Sequence, residues 1–205
     1  MEGVSYRCGR GNHRMETIDR SAPGVRLFSV AEYHRMADAG VFAEQERTEL
    51  LSGVVFSMPP AGPPHSSTVN AIVKYLIAVL DAAECDVRFE EALTIDGGNE
   101  PVPDIVVARP SSNSYRDRHP TPEDVRLVIE VADTSLNRDL GEKRILYGSV
   151  GIPEYWVVDL AQRKLHRFDA LIQGRYTRKA LCDGQDTLTL SGATIAVERL
   201  LPPAN

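Results

Sequence analysis

The stretch Pro103-Asp104-Ile105-Val106-Val107 places a carboxylate at the head of a run of β-branched residues. A second run, Leu127-Val128-Ile129-Glu130-Val131, carries a carboxylate inside it. Short runs of this composition predict strands buried in a sheet. An unpaired charge is costly to bury, so acids in such strands need a compensating partner. We therefore expect a partner group in the fold to neutralise both carboxylates. The chemical nature of that group decides the function.

Strand geometry predicts that the two acids face the same side of a sheet. Alternate residues share a face, so Asp104 points with Val106 and Glu130 points with Val128. If the strands are neighbours, two carboxylates meet, and their mutual repulsion raises the pKa of one of them. A bound Mg²⁺ or Mn²⁺ removes that conflict, because carboxylate oxygens are the ligands of hard cations. The alternative is structural: Asp104 caps a turn after Pro103, and Glu130 pairs with an arginine.

A lysine on an apolar helix face gives the third indication. At roughly 100° per residue, Lys143 projects into the middle of a predicted stripe of apolar residues; these are Leu140, Leu146, Tyr147 and Val150. One interpretation is an ion pair with Asp139 one turn back, with the ammonium reaching out to solvent. The other is that the ammonium reaches the two carboxylates, orients an attacking water and offsets charge on a phosphate. The three residues together favour metal-dependent cleavage of a phosphodiester.

The flanking sequence predicts the elements around these residues. Ser29 and Glu32 form a capping box that begins a helix running to about Ala39. Residues 49–58 form a hairpin that turns at Ser52-Gly53. An amphipathic helix over 65–84 follows. The remaining predicted elements are strands near 86–95, 103–108 and 125–132, the Lys143 helix, a strand at 154–159 and short strands over 163–197.

This order, αβββαβ with Pro103-Asp104 and Glu130, resembles the PD-(D/E)XK nuclease superfamily, and within it the Uma-type family. The resemblance covers about residues 27–160. The matching pieces are Glu49-Leu50-Leu51-Ser52-Gly53-Val54-Val55, His65, Pro103 to Val107, Ile129-Glu130-Val131, Asp139, Lys143, Tyr147 and Gly151 to Asp159. It implies an α/β, restriction-endonuclease-like fold with a mixed sheet, an N-terminal helix and hairpin, and C-terminal short strands.

The resemblance also implies an activity: a Mg²⁺-dependent (or Mn²⁺-dependent) endonuclease that hydrolyses DNA with metal-activated water. Asp104 and Glu130 would bind the metal, and Lys143 would be catalytic. Glu49 would be an additional acid near the metal; the alternative is a solvated hairpin residue. His65 would contact substrate or metal; the alternative is an ordinary residue at a helix N-terminus.

One position departs from the superfamily pattern. The superfamily has a lysine two residues after the second acid, where this chain has Ala132. The resemblance implies that Lys143 takes over that role from the following helix. The alternative is a catalytically degenerate nuclease-fold module that binds nucleic acid or a protein partner.

A basic segment offers a second surface for DNA. Six basic residues of 161–180 face a single acid, Asp169, on a predicted hairpin; they are Arg163, Lys164, Arg167, Arg175, Arg178 and Lys179. Such a ribbon could contact phosphates, and we predict substrate contacts for Arg163, Lys164, Arg167 and Arg175. A solvated charged hairpin is the alternative.

Length and composition set the remaining expectations. The chain has 205 residues and a net charge of −6, which disfavours a protein that coats nucleic acid but not a nuclease. We expect a loose arm over 1–24, with Met15 as an alternative start, and one domain over 25–205. Three scattered cysteines and no signal-peptide or membrane-spanning pattern favour the cytoplasm. A homodimer is expected, since two related sites commonly cut the two strands of a duplex.

Overall fold

The computed structural model describes residues 24–95 and 97–204, so the predicted arm lies, but for its last residue, outside the described residues. Helix α1 (Val30–Asp38) begins at the predicted capping box: the Ser29 hydroxyl accepts the Glu32 N–H, and the Glu32 carboxylate accepts the Ser29 N–H. Strands β1 (Arg47–Leu51) and β2 (Val54–Met58) form the predicted antiparallel hairpin. Its two turn residues have positive φ, which suits the twist of the hairpin.

Helix α2 (Pro63–Val79) packs an apolar side against the sheet and ends earlier than the sequence pattern predicted. Its buried residues are Thr68, Val69, Ile72, Val73 and Leu76. The chain leaves the helix at Leu80, which is extended, and the Asp81 carboxylate then accepts the Ala83 N–H at 2.8 Å. Aspartate forms such local turns readily, and this bond competes with continuation of the helix to Glu84.

Four strands follow that build the centre of the sheet: β3 (Asp86–Phe89), β4 (Ile105–Ala108), β5 (Val125–Ala132) and β6 (Glu154–Asp159). Strand β3 is shorter than the predicted 86–95 because Glu90 adopts a left-handed conformation with φ of 52°. The segment beyond it turns back, and the Leu93 N–H bonds the Pro101 carbonyl at 2.9 Å instead of extending the strand.

The Lys143 helix lies between β5 and β6 and contains a π-helical turn. It is made of α3 (Leu136–Arg138), the π turn (Asp139–Lys143) and α4 (Arg144–Ser149). A π turn has wider spacing than an α turn and often occurs at functional sites. The spacing that would stack Asp139 under Lys143 in a regular helix is therefore altered here.

Four more strands complete the chain: β7 (Lys164–Ile172), β8 (Arg175–Cys182), β9 (Thr187–Leu190) and β10 (Ala193–Ala196). The main sheet has the order β3-β4-β5-β6-β7-β8, and β5-β6 is its parallel pair among antiparallel neighbours. The mixed sheet and the αβββαβ order predicted from the sequence are confirmed. The C-terminal strands β7 and β8 are longer than predicted and belong to that sheet. No helix in the described part of the chain is long and apolar enough to cross a membrane.

The sheet separates two apolar cores. One packs α2 against Ile105, Ile129 and neighbouring residues, and the other packs the Tyr147 side of α4 against the opposite face. Val106 and Val128 lie in the second core and are paired across β4 and β5. The predicted common face is thereby confirmed, and Asp104 and Glu130 come next to each other at one end of these strands.

Candidate active site

One open pocket gathers the acids and the lysine singled out in the sequence. It lies where the β1–β2 hairpin, the start of α2, the β4 and β5 strands and the π turn meet. Glu49, His65, Asp104, Glu130 and Lys143 all line it. Five different parts of the chain therefore contribute to one site, and the strand pairing of β4 with β5 fixes its floor.

Glu130 is the centre of a buried hydrogen-bond network. Its Oε1 accepts from Lys143 Nζ at 3.0 Å and from the Tyr147 hydroxyl at 2.9 Å. Its Oε2 accepts the backbone N–H of Asp104 at 3.4 Å. Burial raises the pKa of Glu130, and the positive charge of Lys143 works against that rise. The predicted alternative for Glu130, a pair with an arginine, is wrong, because a lysine takes that place.

Lys143 joins two carboxylates inside the protein. Its Nζ lies 3.0 Å from Glu130 Oε1 and 3.1 Å from Glu49 Oε2, and its side chain is 6% exposed. Burial alone would lower the pKa of the ammonium, but the carboxylates of Glu130 and Glu49 outweigh it and raise the pKa. Lys143 is thus a permanently charged group at neutral pH. The alternative of a lysine that reaches out to solvent is wrong, and Asp139 instead accepts the Ser135 hydroxyl at 2.5 Å.

Asp104 connects β5 to the start of α2. Its Oδ2 accepts the Val131 N–H at 2.7 Å, and its Oδ1 lies 3.2 Å from His65 Nε2. The hydrogen bond to Asp104 raises the pKa of His65, although burial of the imidazole opposes the rise. The bond from the neighbouring strand replaces the predicted turn cap after Pro103. His65, the third residue of α2, therefore turns its ring towards the acids.

Glu49 is a buried counter-ion and not a solvated hairpin residue. It is 1% exposed, and besides Lys143 it accepts the Val102 N–H at 3.3 Å. Arg138 Nη1 lies 3.5 Å from Glu49 Oε1, and the Arg138 guanidinium lies 5.3 Å from the centre of the Phe56 ring. Glu49 thus holds two cations of the π-turn region against the hairpin.

The sequence did not predict the roles of two residues of this network, Tyr147 and Arg138. Tyr147 was assigned to the apolar stripe and to the pieces that match the family but was given no role, yet its position four residues after Lys143 places both on one side of the helix. Arg138 gave no such signal, since an arginine at the start of a helix ordinarily faces solvent. Only the folded hairpin, with Glu49 and Phe56, shows that it belongs to the pocket.

The donors in this pocket suit an open magnesium site. Asp104 and Glu130 both contribute hard carboxylate oxygens to the pocket. Four buried or half-buried acids (Glu49, Asp104, Glu130, Asp139) line it with three permanent cations, Arg47, Arg138 and Lys143. No group of three or more His, Cys, Asp or Glu that could hold a metal ion occurs among residues 24–95 and 97–204. Mg²⁺ typically keeps several waters and uses one or two carboxylates. Asp104 and Glu130 are therefore the two residues of this pocket that could hold such an ion.

The basic segment lies elsewhere, and much of its charge is paired. It follows β6 and forms β7 and β8 at the edge of the sheet, with β6 between it and β5. Four of the six basic residues form ion pairs: Arg163 with Glu198, Lys164 with Asp183, Arg167 with Glu154, and Arg178 with Asp169. Substrate contacts by Arg163, Lys164, Arg167 and Arg175 stay a prediction.

Comparison with known proteins agrees with this architecture. The structure is similar to the crystal structure of "a putative nuclease belonging to DUF820" from Anabaena variabilis, with a TM-score of 0.65 and 14% sequence identity. The match covers 84% of this chain and 97% of the other, and at that identity it concerns the fold alone. No curated protein matches the sequence. The family model described as "Uma2: Putative restriction endonuclease" matches residues 30–199. The chain therefore belongs to the Uma2 family of restriction-endonuclease-like proteins.

Proposed function

We propose that the protein is a Mg²⁺-dependent endonuclease that hydrolyses phosphodiester bonds of DNA. One observation carries the proposal: the Lys143 ammonium meets Glu130 beside Asp104 in an open pocket. These are the three groups that metal-assisted phosphodiester cleavage requires, and they come from separate elements. Membership of the Uma2 family supports a nuclease.

Asp104 and Glu130 would hold the metal ion. Each has one carboxylate oxygen anchored by the protein: Asp104 Oδ2 by the Val131 N–H, and Glu130 Oε1 by Lys143 and Tyr147. The other oxygens, Asp104 Oδ1 and Glu130 Oε2, have the longer contacts and are the ones available for a ligand. A bound Mg²⁺ would supply Lewis acidity, activating water and stabilising the departing oxygen of the phosphodiester.

Lys143 would act as a fixed positive charge and not as a general base. Its raised pKa keeps the ammonium protonated at neutral pH, so it cannot accept a proton from water there. An ammonium held by Glu49 and Glu130 can orient the attacking water and offset charge that develops on the phosphate. Glu49 would be a positioning residue, because its oxygens already bind Lys143 and the Val102 N–H.

The position of Lys143 also supports the proposal although this chain has Ala132 where the superfamily pattern has a lysine. Ala132 is buried in the second core, and the lysine of the following π turn reaches the same acid from the helix. This favours an enzyme over the catalytically degenerate module. DNA as the substrate follows from the family description, and a homodimer would place two such sites on the two strands of a duplex.

The test is nicking of a supercoiled plasmid by the full chain, with Mg²⁺ and with EDTA. The proposal predicts nicking by the wild type in Mg²⁺, none in EDTA, and none by Asp104→Asn. Asp169→Asn, a buried acid on β7, is the matched control and should nick like the wild type. Retention of DNA by the wild type without any cleavage would support the degenerate module instead.

A further inference from the structure

A pocket that is to receive a phosphodiester needs positive charge directed at the substrate. The acids Glu49, Asp104, Glu130 and Asp139 repel a phosphate, and Lys143 is largely used in neutralising two of them. With 6% of its side chain exposed, Lys143 has little surface left for a second phosphate contact. A bound Mg²⁺ would offset part of that repulsion, and a further cationic side chain that faces the pocket would bind the incoming phosphate directly.

Arg138 is a pocket residue whose hydrogen-bonding capacity is largely unused. Its contact with Glu49 is long, at 3.5 Å from Nη1 to Oε1. Its Nε is buried and has no hydrogen-bond partner among the described residues. A guanidinium has five N–H donors, and a buried donor without an acceptor costs free energy. The buried Nε is out of reach of a ligand in solvent, and the terminal nitrogens are not among the buried unpartnered atoms. With 15% of the side chain exposed, these terminal nitrogens are the donors that an acceptor from outside the chain can reach.

The guanidinium is also held in place before any ligand arrives. It lies over the Phe56 ring at 5.3 Å, and its side chain is 15% exposed. Arg47, the other arginine that lines the pocket, differs on both counts: its side chain is 39% exposed and it pairs with Glu90 at 3.1 Å. Of these two arginines, Arg138 is the more buried one and the one with an unpartnered Nε.

From these contacts we infer that Arg138 binds the phosphate of the scissile phosphodiester through its guanidinium. This inference rests on the proposed nuclease function and names a substrate-binding residue within it. Arginine suits the task because its planar fork can donate two parallel hydrogen bonds to phosphate oxygens. Glu49 then has a defined purpose, since it positions Arg138 and Lys143 together.

The experiment uses the full chain and a fluorescein-labelled DNA duplex as the probe. Fluorescence anisotropy in Ca²⁺, across a KCl series, gives the affinity and its salt dependence; plasmid nicking in Mg²⁺ is measured on the same preparations. Arg138→Gln removes the charge, and Arg138→Lys keeps the charge but not the fork. Arg144→Gln is the matched control: Arg144 lies in the same helical segment and over the Phe168 ring, outside the pocket.

We expect Arg138→Gln to weaken duplex binding by about tenfold or more. The plot of log affinity against log salt should also become less steep, by the amount that corresponds to the loss of about one phosphate contact. Arg138→Lys should keep the slope and recover only part of the affinity. Arg144→Gln should match the wild type in both readouts.

Unchanged affinity and slope in Arg138→Gln, with a wild type that binds and nicks DNA, would overturn the inference and leave the proposed function standing. Equal losses in Arg138→Gln and Arg144→Gln would also overturn it, because they would indicate a general effect on the helix. A wild type that neither binds nor nicks DNA would overturn both.

Discussion

Two clusters of acids lie in the same sheet, and they are built differently. The site cluster comprises Glu49, Asp104, Glu130 and Asp139 with Arg138 and Lys143. The edge cluster, on β6, β7 and β8, comprises Glu154 and Asp169 with Arg167 and Arg178. All the acids except Asp104 are buried. In the site cluster acids outnumber permanent cations, whereas in the edge cluster the charges balance.

The acids of the edge cluster are paired with the arginines of the same cluster. Arg167 Nε donates to Glu154 Oε1 at 2.7 Å, and Arg178 pairs with Asp169. In the same cluster Asp169 Oδ2 has no hydrogen bond, but it lies 2.8 Å from Arg167 Nε. The site cluster opens into a pocket and holds an arginine with an unpartnered Nε. A buried acid in a strand is therefore not by itself a sign of function. Excess negative charge that faces a pocket is the feature that calls for a metal ion.

The largest expected effect comes from removing the cation of the site cluster. Lys143→Met leaves Glu49 and Glu130 buried without their shared ammonium, which should lower the free energy of unfolding by about 3–5 kcal/mol. The proposed cleavage should also fall by about 10²-fold or more. Denaturant unfolding measures the first effect, and plasmid nicking below the unfolding range measures the second.

Arg167→Met is the counterpart in the edge cluster. It removes a partner of Glu154 and Asp169, but the side chain of Arg167 is 22% exposed, so we expect a smaller loss of stability, about 1–3 kcal/mol. At temperatures where the variant is folded, nicking should fall far less than in Lys143→Met, because Arg167 lies outside the pocket and would contribute at most its predicted contact with the substrate. Equal losses of nicking in the two variants would remove the distinction between the clusters.

A second prediction concerns the hydroxyl that supports Glu130. Tyr147→Phe removes the 2.9 Å hydrogen bond to Glu130 Oε1 and should cost about 1.5–3 kcal/mol of stability. It should also weaken Mn²⁺ binding by roughly tenfold or more, because groups that hold a metal ligand in place tune its affinity. Isothermal titration of Mn²⁺ measures this change.

Tyr176→Phe is the control for that prediction. It removes a buried hydroxyl that donates to the Ile152 carbonyl at 2.9 Å, away from the pocket. It should lower stability and leave Mn²⁺ affinity as in the wild type. If Tyr147→Phe binds Mn²⁺ as the wild type does, the hydroxyl does not serve the site.

The smallest effect concerns an acid outside both clusters. Asp124 pairs with Arg118 and accepts the Thr121 N–H at 2.8 Å. These bonds hold the pKa of Asp124 below its ordinary value, with Arg118 the main cause. Because the pKa of Asp124 is lower in the folded protein than in the unfolded chain, its ionised carboxylate stabilises the fold at any pH above the unfolded-state pKa. This stabilisation is lost as the pH falls through the folded-state pKa.

Asp124→Asn should therefore cost about 1 kcal/mol at neutral pH, a modest value because the pair is partly solvated. The difference from the wild type should shrink as the pH falls below about 4, the ordinary value for aspartate. Urea unfolding across pH measures it, and nicking at neutral pH should be unaffected. A difference that grows towards acid pH would contradict the assigned sign.

Much of the fold could be predicted because its signals are local. The capping box at Ser29, the Ser52-Gly53 turn and the alternation around Asp104 and Glu130 each depend on a few neighbouring residues. The meeting of the two acids followed from strand periodicity once β4 and β5 were neighbours. The contact of Lys143 with Glu130 was one of two interpretations of a lysine on an apolar helix face, and the resemblance to a known family favoured it although Ala132 replaces the usual lysine.

The parts that were missed depend on contacts between distant segments or on backbone geometry. Arg138 acquires its place only when the β1–β2 hairpin brings Glu49 and Phe56 against the π turn. The π turn contains Gly141, but a single glycine inside a helical pattern does not distinguish a π turn from an α-helix. The basic segment suggested a free cationic ribbon, because the acids that pair with Arg163 and Lys164 come from outside it.

The central claim is that the site cluster binds a divalent metal ion and the edge cluster does not. The most direct measurement is isothermal titration of Mn²⁺ into the wild type, Asp104→Asn and Asp169→Asn. We expect saturable binding by the wild type and by Asp169→Asn, and loss of binding in Asp104→Asn. Absence of binding in the wild type, or undiminished binding in Asp104→Asn, would contradict it.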